Sequence, residues 1–199
     1  MKATRNDKRA AASVQVTGSA LRDRYPVLQG CFFLSGAAGL IYQVAWMKAL
    51  GLLFGYTAYA TATAISVFMA GLALGSLLLG RWCESRTDAV RIYAWLEIGI
   101  GITGALSLAG LALVRVIYLA AHPFFATSSA MLLSFRIVGA AFVLGIPSFL
   151  MGGTFPVLIR GAMQQQNQLA VRVGRLYATN TLGAVLGTLG AGFVFLPAL

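Results

Sequence analysis

A chain of 199 residues with 59% hydrophobic and only 10% charged side chains departs from soluble domains, which carry about 45–50% apolar and about 25% charged residues. With a mean hydropathy of +0.81, that balance excludes an ordinary soluble enzyme and points to the membrane class. The formal net charge of +10 would suggest nucleic acid in a soluble protein, but the basic residues lie in short segments between apolar runs. There they set membrane orientation, and no nucleic-acid partner is expected.

Residues 1–25, MKATRNDKRAAASVQVTGSALRDRY, are polar and rich in small and basic side chains, which predicts a disordered cytoplasmic tail. Residues 26–199 form the expected transmembrane domain. A helix crosses the hydrocarbon core with about 20 apolar residues, and five stretches qualify: 27–47, 56–80, 91–114, 129–151 and 174–197. The fold class expected is therefore all-α, a polytopic helical bundle with about five transmembrane helices. A signal peptide cleaved after AYA at 58–60 is set aside, because the apolar core is longer than the usual stretch of about 7–15 residues.

The first span carries SGAAGLIYQVAW at 35–46, where Gly36, Gly39 and Gln43 share one helical stripe and Trp46 ends the run at the outer interface. The second carries Gly71 and Gly75, a GxxxG pair. In the third, Glu97 shares a stripe with Gly101 and Gly104, and Ala105 continues the small-residue pattern. The fourth holds Arg136 beside Gly139 and Ala140. Its later Pro147, Gly152, Gly153 and Pro156 predict a kinked or broken helix. The fifth has Asn180 in line with Ala184 and Gly187, and Gly183 and Gly187 form another GxxxG pair. Helices in lipid associate through close packing, so small residues mark contact faces.

Charge orients these spans. Lys2, Arg5, Lys8, Arg9, Arg22, Arg24, Arg81, Arg86, Arg91, Arg160, Arg172 and Arg175 fall on one side of an alternating topology, against Lys48 and Arg115 on the other. Cytoplasmic loops are the basic ones, which predicts a multi-pass protein of the bacterial inner membrane with its N-terminus inside. Tyr25, Trp82, Tyr93, Trp95 and Tyr177 are expected at the inner interface, and Trp46, Tyr56 and Tyr118 at the outer one.

Gln43, Glu97, Arg136 and Asn180 are the candidate intramembrane polar or binding residues, each placed toward a neighbouring helix. At about 1.5 Å per residue, Glu97 and Asn180 lie about 9 Å from the cytoplasmic side. Arg136 and Gln43 lie about 10 and about 7 Å from the outer side by the same rise. Two layers are expected, Arg136 with Gln43 outside and Glu97 with Asn180 inside. Cys31 and Cys83 offer no disulfide framework, and His122 before Pro123 reads as a loop residue. No metal and no cofactor is expected.

SGAAGLIYQVAW with LGLLFG at 50–55, FMAGLALGSLLLGRW at 68–82, PSFLMGGTFPVL at 147–158 and GRLYATNTLGAVLG at 174–187 resemble, in order, the membrane region of spermidine-synthase-like proteins, some of them fused to a major-facilitator-like domain. The resemblance implies a transmembrane region preceding a soluble Rossmann-like domain that moves an aminopropyl group from decarboxylated S-adenosylmethionine to putrescine. The acidic residues of this chain are Asp7, Asp23, Glu84, Asp88 and Glu97. No stretch supplies the strand, glycine-rich loop and carboxylates that such a domain needs, so no catalytic residue is carried over. The ending GAGFVFLPAL falls where the family's chain continues, so a truncated membrane domain is expected. The partners implied are the lipid bilayer, a soluble aminopropyltransferase domain in the same or another chain, and a second copy in a homo-oligomer. GSLLLGRWCESR at 75–86 is also similar to the major-facilitator signature, departing from it where Leu79 and Gly80 precede Arg81. That match makes a half-bundle transporter component, or a purely structural subunit, the alternative.

Overall fold

The computed structural model describes residues 5–86, 88–125, 128–162 and 169–195, with side chains described over 26–86, 88–123, 128–160 and 170–195. Five helices follow one another: α1 Arg5–Phe54, α2 Ala58–Cys83, α3 Ala89–Phe125, α4 Ser129–Ala162 and α5 Leu169–Gly190. A short π-helical turn, Ala191–Phe195, extends the last. No strand occurs among the described residues. Five stretches are long and apolar enough to cross a membrane: Pro26–Phe54, Ala58–Cys83, Ala89–Pro123, Ser129–Arg160 and Ala170–Phe195. Each contains or overlaps one predicted span.

The helices run further than the apolar windows. α1 continues past Lys48 to Phe54 and α3 past Arg115 to Phe125, so both basic residues and His122 are helical rather than in loops. A single charged side chain does not stop a helix, because its backbone hydrogen bonds are internal and a long side chain can reach the interface. What stops α1 is Gly55, at φ +84°, where a side chain would be strained. Thr57 then caps α2, its Oγ1 accepting from the Ala60 amide at 3.2 Å. The backbone of α1 is helical from Arg5, in the segment expected to be a disordered tail, where alanine, arginine and leucine favour helix. Residues 1–4, the side chains of 5–25 and with them the interfacial placement of Tyr25 lie outside the described residues.

The expected break in α4 is absent. The helix is continuous through Pro147, Gly152, Gly153 and Pro156. Proline removes one donor per site, and nearby hydroxyls bond the carbonyls of the same turns. Ser148 Oγ donates to the Leu144 carbonyl at 2.6 Å, and Thr154 Oγ1 to the Met151 carbonyl at 2.7 Å.

α2 lies along α4, α3 also packs on α4, and α1 lies along α5 while touching α2, α3 and α4 more lightly. Two seams are glycine-lined on both sides. A Cβ on Gly71 or Gly75 would overlap Ser148 or the Phe149 carbonyl of α4, and one on Gly152 or Gly153 would overlap Leu72 or Leu79 of α2. Likewise a Cβ on Gly183 or Gly187 would strike the carbonyls of Phe33 or Ala37, and one on Gly36 the carbonyl of Asn180. Gly39 faces the Met151 sulfur of α4 at a looser 3.7 Å. Gly101 departs from the expected pattern: it is exposed with nothing near, Ala105 is exposed too, and α3 turns Gly104 toward Tyr42 instead.

Two apolar cores fill the spaces between seams. Trp46, Leu50, Phe54, Phe68, Tyr118 and Leu144 form one, and Phe32, Cys83, Tyr93, Leu96, Val157 and Leu176 the other. The outward faces are also apolar, with Leu34, Leu106, Phe142 and Leu186 all exposed. In water so much exposed apolar surface would drive aggregation. Hydrocarbon is the solvent such a surface fits, and the protein reads as a multi-pass membrane protein.

Candidate functional site

The polar side chains within the spans divide into two groups toward opposite ends of the bundle, and their partners differ from those expected. At the end that holds the α1–α2 turn, Arg136 Nη2 on α4 donates to the Phe54 carbonyl at 3.0 Å. Phe54 is the last residue of α1, where the final turn of carbonyls lacks helical donors and carries the negative end of the dipole. That acceptor outcompetes a neutral amide. Gln43 is half-buried, and no hydrogen bond joins it to Arg136 among the described residues. The Arg136 Nε is itself buried and unpartnered. The sequence does not mark this contact, because the first apolar span is expected to end at residue 47 and a backbone carbonyl is common to every residue.

Toward the arginine-rich end, Tyr93 and Glu97 stand one turn apart on α3. The buried Tyr93 phenol neighbours the Glu97 carboxylate, and Ser35 and Cys31 of α1 lie near it. These groups interact across short distances without hydrogen-bond geometry: Tyr93 Oη and Glu97 Oε1 are both buried and unpartnered. Asn180 packs against Gly36, so it faces α1, and no hydrogen bond links it to Glu97 among the described residues. Ser35 and Gly36 are consecutive, which puts Tyr93, Glu97 and Asn180 at one level around α1. The level agrees with the depth argument; the pairing does not. Tyr93 was expected at the interface, and nothing in its sequence neighbourhood distinguishes it from Trp95, which is exposed.

Trp46 is the second departure. It is only 2% exposed, its Nε1 donates to Ser107 Oγ at 2.8 Å, and it stacks on Tyr42 with ring centroids 5.3 Å apart. Ser107 Oγ in turn donates to the Gly104 carbonyl at 2.6 Å. Tyr118 is also buried, edge-on to Phe54 and tilted against Phe135, whereas Tyr56, Trp82, Trp95 and Tyr177 are exposed. At the arginine-rich end, the Arg86 guanidinium lies 4.9 Å from the Trp82 ring centroid, and Arg160 Nε donates to the Arg86 carbonyl at 3.3 Å. These contacts bring the α2–α3 loop and the end of α4 together. No cluster of three or more metal-ligating side chains occurs among the described residues. No protein-family model, curated protein or solved structure matches this chain.

Proposed function

We propose that the chain is the membrane-embedded module of a spermidine-synthase-like protein, seated in a bacterial inner membrane with its N-terminus in the cytoplasm. Aminopropyl transfer then belongs to a soluble domain in the same or another chain, which this bundle holds at the membrane. One observation carries the reading: the four resembling phrases fall on the two glycine seams. SGAAGLIYQVAW and GRLYATNTLGAVLG supply the facing sides of α1 and α5, and FMAGLALGSLLLGRW and PSFLMGGTFPVL those of α2 and α4. The likeness therefore lies in residues that set how the helices pack, and it speaks for a shared bundle rather than shared apolar composition. The gathering of Arg86 and Arg160 at one end supports the orientation.

The test is to tag the native gene product at its own locus, extract it in mild detergent, and measure its intact mass and partners together with aminopropyl transfer. Transfer activity from a longer product, or from a co-purified soluble subunit, is the expected result. An inactive product near 21.0 kDa with no partner would overturn the reading.

The unpartnered inner pair favours a second reading, a transporter-like component. Glu97 is the one acidic residue within the five candidate spans, and a buried ionisable group in a membrane often marks an ion path. Glu97→Gln separates the two readings. Loss of polyamine uptake into vesicles by a normally folded protein is the transporter outcome, and unchanged uptake beside unchanged folding is the anchor outcome.

A further inference from the structure

Between α1 and α3, toward the end opposite the arginine-rich loops, lies a groove of about 610 Å3. Ala49 and Leu52 line it from α1, and Leu111, Ala112, Arg115 and Leu119 from α3. The two alanines keep the helices' facing surfaces low and leave room between them. The volume lies within the range of about 300–1,000 Å3 of pockets that hold a small molecule. Leu52 and Leu119 are 70% and 62% exposed, so the groove opens outward, toward the surface that the bundle presents to lipid.

Arg115 is the single charged residue of this lining. It is exposed, and no ion pair or hydrogen bond engages it among the described residues. Its level follows from Tyr118, whose ring meets that of Phe54, the last residue of α1, at 5.3 Å between centroids. Arg115 is thus about 4.5 Å from the level at which α1 ends, at the standard rise, and a side chain of its length can extend along the helix toward the membrane surface.

We propose that this groove binds one anionic phospholipid, with an acyl chain along its leucines and the phosphate on the Arg115 guanidinium. The chemistry fits both ends of such a molecule. Aliphatic walls suit the chain, and a planar guanidinium pairs two phosphate oxygens at once. Charge also argues against a second copy of this chain as the occupant. The nearest acid along α3, Glu97, is 18 residues away, about 27 Å down the helix. The remaining acids Asp7, Asp23, Glu84 and Asp88 lie outside the candidate spans. A parallel dimer across this groove would therefore bring no carboxylate to Arg115.

Native mass spectrometry of the detergent-purified protein tests the site, using phosphatidylglycerol, phosphatidylcholine and free glycerol phosphate as probes. The expected result is a single phosphatidylglycerol adduct, favoured over phosphatidylcholine and not displaced by glycerol phosphate. Arg115→Gln should weaken that adduct about tenfold, the scale of one charge-assisted contact, and Arg115→Lys should retain most of the preference. Ala112→Leu, which keeps the charge and fills the groove, should lower binding of both lipids at unchanged helix content. Equal binding of the two lipids, unaffected by Arg115→Gln and Ala112→Leu, would overturn the proposal. So would displacement by glycerol phosphate alone, or a dimer that Ala112→Leu dissociates.

Discussion

Two side chains show how little of a membrane residue's role is set by its type. Arginine at position 136 holds the end of another helix through the Phe54 carbonyl. Arg136→Ala should therefore lower stability by about 1.5–3 kcal/mol, the range for a hydrogen bond to a charged group. Unfolding in mixed detergent micelles measures it, and a loss below about 0.5 kcal/mol, the scatter of neutral surface changes, would show that the contact does not hold α1. Trp46 tells the same story with a smaller number. Trp46→Phe keeps most of the ring packing and removes one neutral hydrogen bond to Ser107, so a cost of about 0.5–1.5 kcal/mol is expected. A cycle with Ser107→Ala should return most of that as coupling. The polarity of Gln43, Glu97, Arg136 and Asn180 was legible in the sequence because ionisable and amide groups inside apolar runs stand out. Their partners were not, since Arg136 chose a backbone carbonyl, a group that every residue carries and no pattern marks.

At the scale of the helix, the seams were the legible feature and the register within them only partly so. Gly71 is buried against the Ser148 side chain, and Gly75, Gly183 and Gly187 against backbone carbonyls, as a small residue every fourth position predicts. In α3 the same rule names Gly101 with Ala105, yet the structure turns Gly104 inward and leaves Gly101 open. Gly101 and Gly104 lie at the two edges of the expected stripe, and only Gly104 meets Tyr42 of α1, a neighbour that no pattern within α3 can contain. Substitution separates these cases sharply. Gly75→Ala should cost about 1–3 kcal/mol by overpacking, because its Cβ meets the Phe149 backbone carbonyl rather than a side chain that can move aside. Gly101→Ala should change stability by less than about 0.5 kcal/mol. Equal effects of the two in the same unfolding assay would mean that the α2–α4 seam is looser than described. The continuity of α4 through Pro147 belongs to the same scale: sequence marks the missing donor, whereas the Ser148 and Thr154 hydroxyls bonded within neighbouring turns are visible only in three dimensions.

For the whole molecule, the number of spans was legible from hydropathy alone, because about 20 apolar residues in helical form have one natural length. Which helices pair was not: the first joins the last and the second joins the fourth. Orientation is the remaining global property, and the one proposed rests on charge rather than packing. Arg81, Arg86, Arg91 and Arg160 sit at one end, with Arg86 and Arg160 in contact, while the Gly55–Thr57 turn between α1 and α2 lies at the other. Cytoplasmic loops carry the excess of basic residues, so the proposed orientation predicts that the two ends differ in access from outside the cell. In a protein bearing Cys31→Ser and Cys83→Ala, Ser85→Cys lies in the α2–α3 loop and Tyr56→Cys in the α1–α2 turn. A membrane-impermeant maleimide should label position 56 in right-side-out vesicles and position 85 only in inverted ones. Both positions are exposed in the bundle, so each is open to the reagent on whichever side it lies. The reverse pattern would mean that the arginine-rich end faces outward, and labelling of both positions from one side would mean that α2 does not cross the bilayer.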